Sequence, residues 1–197
     1  MHHRAAVALA ALAALLAGCG GSTGIDNPPD VQNPAVTGGQ TLSFIYYQRC
    51  IQPIFTTPLS INQGGVVSVN TCASAGCHDN AAGTGGAFRV IAGAQPVNVA
   101  ASTPDALRAS DMYKNFFSAK AASIIGQPLQ SRLLTKPLVL NVLHGGGSIF
   151  ASENDPNAQR IRYWISRPVP PGQDEFSAAA NTMFTPPDPL TGACNTQ

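Results

Sequence analysis

Cys72-Ala73-Ser74-Ala75-Gly76-Cys77-His78 is the stretch on which the reading of this chain turns. Two thiols with an imidazole directly behind the second are the donor set that covalent haem attachment requires. Each thiol adds to one vinyl group of the porphyrin, and the histidine beside the second thioether is then placed under the iron as its proximal ligand. Four residues separate the two cysteines here, where two is the usual spacing. Only one such motif occurs, and the chain has no internal repeat.

Upstream of the motif, Phe44, Ile45, Cys50, Ile51 and Ile54 recur at helical spacing, which predicts an amphipathic helix over residues 41–55 that ends near Pro58. A loop is expected from there to Cys72. Downstream, the glycine-rich run 82–86 lets backbone approach a flat ligand closely, and residues 88–92 read as a short extended piece. Thr103-Pro104-Asp105 combines an N-cap residue, proline at the first helical position and an acid in the first turn, so a helix is expected through Leu107, Met112, Phe116 and Phe117. Residues 131–135 read as a helical turn stopped by Pro137. An apolar stretch, 138–143, leads into His144-Gly145-Gly146-Gly147. Asp155-Pro156 opens a last helix through Ser166, with Ile161, Trp164 and Ile165 on its apolar face and Pro168 beyond its end. The remainder, 168–197, holds six prolines and little pattern, and reads as an irregular tail wrapping the domain.

The N-terminus reads as a targeting segment. Met1-His2-His3-Arg4 gives a positive start, and an apolar run follows that is shorter than the about 20 residues a membrane-spanning helix needs. Leu16-Ala17-Gly18-Cys19 resembles the lipobox of bacterial lipoproteins. That resemblance implies cleavage before Cys19, a lipid on its thiol, and a chain anchored to a membrane of the cell envelope, facing periplasm or exterior. Residues 1–18 are then a signal peptide. Residues 19–40, rich in Gly, Pro, Asn and Thr, are a flexible tether. Loss of the leader removes Arg4 and no acid, which leaves ten bases against ten acids. With no basic run, nothing points to nucleic acid as a partner.

Taken together, residues 41–167 resemble a monohaem cytochrome c domain of the class I type, as found in bacterial surface and periplasmic lipoproteins. The resemblance rests on the opening helix, Cys77-His78, Gly85-Gly86-Ala87-Phe88-Arg89, the His144 glycine loop and Tyr163-Trp164-Ile165. It implies a mainly α fold, a cytochrome c-like helical domain with long irregular loops between the tether and the proline-rich tail. It also implies one covalent haem c on Cys72 and Cys77, and a carrier of single electrons between redox partner proteins rather than an enzyme. A peroxidase role would need an open or displaceable sixth ligand.

Beyond the leader, His144, Met112 and Met183 are the candidates for the iron's sixth position. His144 is favoured, as the start of a glycine run able to bend over a haem face, so His78 and His144 are expected as the metal ligands. Arg89, Tyr113 and Trp164 are candidates for contacting the propionates or edge of the haem. With Cys19 lipidated and Cys72 and Cys77 on haem, Cys50 and Cys194 remain as a disulfide pair, a bond that persists outside the cytosol. Other readings stay open. Cys72 and Cys77, or Cys50 and Cys72, form disulfides in a haem-free lipoprotein binding module. Alternatively Cys72, Cys77, His78 and His144 bind zinc, although adjacent Cys77 and His78 would then both have to face one small ion. Gly20-Gly21-Ser22-Thr23-Gly24 mimics a hydrolase nucleophile elbow but lies in the tether with no strand before it or helix after it.

Overall fold

The computed structural model describes residues 39–197, so the leader, Cys19, Ser22 and nearly all of the tether lie outside the described residues. Helices carry most of the regular structure, with two small two-stranded sheets. The opening helix is not a continuous α-helix. It runs as α1 (Phe44–Tyr46), passes through a π-helical stretch (Tyr47–Ile51), and resumes as α2 (Gln52–Thr56). Pro53 has no N–H to reach the Arg49 carbonyl, and the wider π turn just upstream accommodates that missing bond.

Where a loop was expected, residues Leu59–Gln63 (β1) and Val66–Asn70 (β2) pair as an antiparallel hairpin. Gly64 and Gly65 both sit at positive φ, 61° and 92°, as a tight two-residue hairpin turn demands. The middle helix is also divided. Ser110 takes an extended conformation that ends α3 (Pro104–Ala109), and its hydroxyl caps α4 (Asp111–Ala121) by accepting from the Tyr113 N–H. The turn expected at 131–135 is a full helix, α5 (Arg132–Leu138), with Pro137 inside its last turn. The closing helix α6 (Pro156–Ser166) starts as expected, with Asp155 accepting from the N–H groups of Asn157 and Ala158.

The opening segment, α4 and α6 bury an aromatic core. Trp164 is fully buried, 5.4 Å from the Tyr47 ring and 6.1 Å from the Phe116 ring. Its indole N–H donates to the Ser43 carbonyl at 2.9 Å, which satisfies a polar group that burial would otherwise penalise. The tail packs along this core. The Val169 and Phe44 N–H groups bond to the Thr41 and Glu175 carbonyls, and β3 (Phe184–Thr185) pairs with β4 (Ala193–Cys194). Cys50, in the π stretch, is bonded to Cys194 in β4 by a disulfide that closes a span of 144 residues. No helix among the described residues is long and apolar enough to cross a membrane.

Candidate functional site

The stretch 72–78 folds as a chain of tight turns. The Cys77 N–H bonds to the Ser74 carbonyl and the His78 N–H to the Cys72 carbonyl at 2.8 Å, so seven residues of sequence fold back on themselves. Next to it, Val90 donates to the His78 carbonyl in a short parallel bridge between Asp79 and Val90, the extended piece read from the sequence. This bridge brings the Phe88 carbonyl within 3.0 Å of His78 Nδ1. A carbonyl can only accept, so Nδ1 carries the proton and Nε2 keeps its lone pair free for a metal. Burial lowers the imidazole's pKa, despite the Phe88 carbonyl pulling the other way, which also favours the neutral, ligating form.

Gly85 lies directly against this ring. A Cβ there would come within 2.6 Å of His78 Cε1 and Nδ1 and 2.7 Å of the Cys77 carbonyl, so no other residue fits without displacing the imidazole.

His144 is held in the same way by a different part of the chain. Its Nδ1 lies 2.7 Å from the Gly147 carbonyl, and the Gly147 N–H returns to the His144 carbonyl, which closes the loop into a turn. The hairpin pins that turn. Asn62 and Ser148 exchange both backbone hydrogen bonds, and Gln63 Nε2 donates to the Gly145 carbonyl. Gly147, at φ 79°, abuts the Asn62 backbone so closely that a side chain has no room. The unforeseen hairpin is therefore the mount for His144.

The two imidazoles face a common cleft, with ring planes parallel within 9° and centroids 6.2 Å apart. A metal–imidazole bond of about 2.0 Å and a centroid-to-nitrogen distance of about 1.1 Å would set two trans imidazoles on one metal about 6.2 Å apart. The centroid separation of the pair equals that spacing, and each ring has its Nδ1 tied to a backbone carbonyl.

The cleft measures about 640 Å³, within the range of about 300–1,000 Å³ usual for small-molecule sites. Phe55, Leu59, Ile61 and Phe88 give it apolar walls, and Gly76, Gly85, Gly86, Ala87, Ala121 and Ala122 keep those walls thin. Cys72 and Cys77 stand on its lining as free thiols. Burial, with Cys77 close by, pushes the Cys72 thiol up to about 12. Among the described residues no carboxylate lines the cleft, but Arg132 and Lys136 of α5 do. Among the described residues no three His, Cys, Asp or Glu side chains gather as a donor set for a small ion.

Of the sequence candidates, Cys72, Cys77, His78 and His144 are brought together and the others are not. Arg89 does not line the cleft. Its backbone N–H donates to Ser118 and its Nη1 is buried without a partner among the described residues. Tyr113 donates to Glu175, and Trp164 is spent on Ser43, both away from the cleft. Met112 and Met183 are buried in the core, and neither lines the cleft. Sequence reading missed Arg132 and Lys136, although their i, i+4 spacing on either side of Leu133 was visible once residues 132–138 were taken as a helix. No protein-family model, curated protein or solved structure matches the chain.

Proposed function

We propose that the cleft holds one covalently attached haem, through thioethers to Cys72 and Cys77 with His78 and His144 as axial ligands, and that the protein is a lipid-anchored electron carrier of the bacterial cell envelope. The observation that carries this reading is the parallel imidazole pair at 6.2 Å, with both Nδ1 positions tied to carbonyls and both rings on one thin-walled apolar cleft. Two imidazoles without a third donor are what axial ligation needs when the macrocycle supplies the other four bonds. Haem bound there supplies reversible one-electron chemistry at iron.

The chain's own part follows from its residues. Cys72 and Cys77 would hold the macrocycle through thioethers and so fix its position in the cleft. The Phe88 and Gly147 carbonyls keep both imidazoles in the ligating tautomer and orientation. Phe55, Phe88 and Ile61 exclude water. With His78 and His144 both holding the iron, the site would favour electron transfer over peroxide chemistry. The same two histidines predict a lower reduction potential than a His/Met pair, because a thioether favours the ferrous state.

His144→Ala tests the assignment. The variant, matured in a host that attaches haem c, should change from six-coordinate low-spin to high-spin. An unchanged spectrum would remove His144 from its role. The near-parallel rings add a second readout. Both imidazoles would donate into the same iron d orbital and split it from its partner, so the ferric protein should give a rhombic low-spin electron paramagnetic resonance spectrum. A single large-g feature, the signature of perpendicular planes, would contradict the geometry.

A further inference from the structure

We propose that Arg132 and Lys136 form a carboxylate-binding edge of the cleft and take the two propionates of the tetrapyrrole. This rests on the haem reading above and assigns a part of the site for which the sequence offered Arg89, Tyr113 and Trp164.

Three observations lead to these two residues. First, they stand four apart on α5, so they occupy one helix face, and both line the cleft together with Leu133 and Pro137 between and beside them. Second, neither has an ion-pair partner among the described residues, whose ion pairs join Arg108 to Glu175, Lys114 to Asp111 and Arg162 to Glu153. Third, their placement is unfavourable for the chain alone. Like charges at i, i+4 repel, and Arg132 opens a helix that has no acid in its first turn, where a cation opposes the backbone dipole.

Two unpaired cations over an apolar cleft with no carboxylate in its lining form half of an electrostatic arrangement. A ligand bearing two carboxylates completes it, and haem is such a ligand. The cations would hold both propionates ionised and offset their charge near the iron, which keeps the ferrous form accessible and the midpoint insensitive to pH around neutrality.

The test is a redox titration against pH on haem-loaded full chain, with intact mass recorded for every sample. Wild type should give a midpoint that stays flat from mildly acid to mildly alkaline solution. Arg132→Gln with Lys136→Gln should load haem and keep the low-spin spectrum. Its ferric–ferrous equilibrium should move toward ferric on the order of tenfold, and its midpoint should acquire a slope with pH as the uncompensated propionates titrate. Arg132→Gln alone, at an exposed position, should show part of the same shift. Lys136→Arg, which keeps the charge, should titrate as wild type.

A loaded double variant with the wild-type midpoint at every pH would overturn the assignment and leave the axial ligands untouched. So would a double variant that fails to load while Arg132→Gln loads and titrates as wild type. A wild-type chain whose mass contains no haem would overturn the haem reading and this inference together.

Discussion

Placing a methyl group at position 85 sets the ring of His78 against its own mount. The Cβ of Gly85→Ala would lie 2.6 Å from two atoms of the imidazole and 2.7 Å from the Cys77 carbonyl. The carbonyl accepts the Gly85 N–H at 2.7 Å and belongs to the tight turns of the attachment motif, so it has little room to yield. The ring must therefore move, and moving it breaks the bond from Nδ1 to Phe88. Overpacking of this kind costs about 1–3 kcal/mol. The lost hydrogen bond adds about 1 kcal/mol, so the variant should be less stable by roughly 2–4 kcal/mol. Gly76→Ala and Gly145→Ala are matched controls. A Cβ at either position meets nothing within 4 Å, and neither glycine has a positive φ. These controls should fall within about 0.5 kcal/mol of wild type or gain slightly from a stiffer unfolded chain. Urea unfolding followed by the fluorescence of the single, buried Trp164 gives all three values. Gly85→Ala unfolding at the same urea concentration as Gly145→Ala would refute the placement of His78 against the glycine.

Other perturbations separate the core from the cleft. Trp164→Phe leaves the Ser43 carbonyl with only the Tyr47 N–H and opens space in the core, which together should cost about 1–3 kcal/mol in urea unfolding. Because Trp164 does not line the cleft, the variant's haem loading and spectrum should match wild type. Replacing Cys50 and Cys194 by Ser reopens a span of 144 residues, for which loop-closure entropy gives about 5 kcal/mol; the urea midpoint of the disulfide form should fall to that of the variant on adding reductant. Burial alone would raise the pKa of Glu175, but bonds from its backbone N–H, Tyr113 and Arg108 outweigh this and hold it below the ordinary carboxylate value. A depressed carboxylate stabilises the fold above its unfolded pKa and loses that contribution as pH falls through its folded pKa. Glu175→Gln should therefore be less stable than wild type at neutral pH, with the gap closing in acid, and a gap constant across a pH series would contradict the Glu175 pairing.

Local signals in the sequence located the cleft's two imidazoles but not the parts that orient them. The last helix was legible because Asp155 and Pro156 mark its start with backbone chemistry that acts within one turn. The motif at Cys72 was legible because its chemistry is confined to seven residues. The hairpin was missed although Gly64-Gly65 between Leu59–Gln63 and Val66–Asn70 is a recognised two-residue turn signal. Its strands lack a clean apolar alternation because the β2 residues, Val66, Val67 and Val69 included, are all exposed. The division of the middle helix at Ser110 was hidden by the apolar spacing that runs from Leu107 to Phe117, whereas the serine's preference for capping decided the backbone. Arg89, Tyr113 and Trp164 carry side chains suited to a propionate or a haem edge, but residue type does not say where a side chain ends up. What they touch is set by long-range packing, and Trp164 meets Ser43 across 121 residues. The Cys50–Cys194 pair was reached by eliminating the other cysteines, an argument that used no geometry.

Intact mass spectrometry of the mature chain, after alkylation and from a host that attaches haem c, tests the central claim most directly. The account predicts the mass of the lipidated chain plus one haem, with Cys72 and Cys77 both closed to alkylation and Cys50 joined to Cys194. A bare chain whose Cys72 and Cys77 are free to react, or are joined to each other, would contradict it.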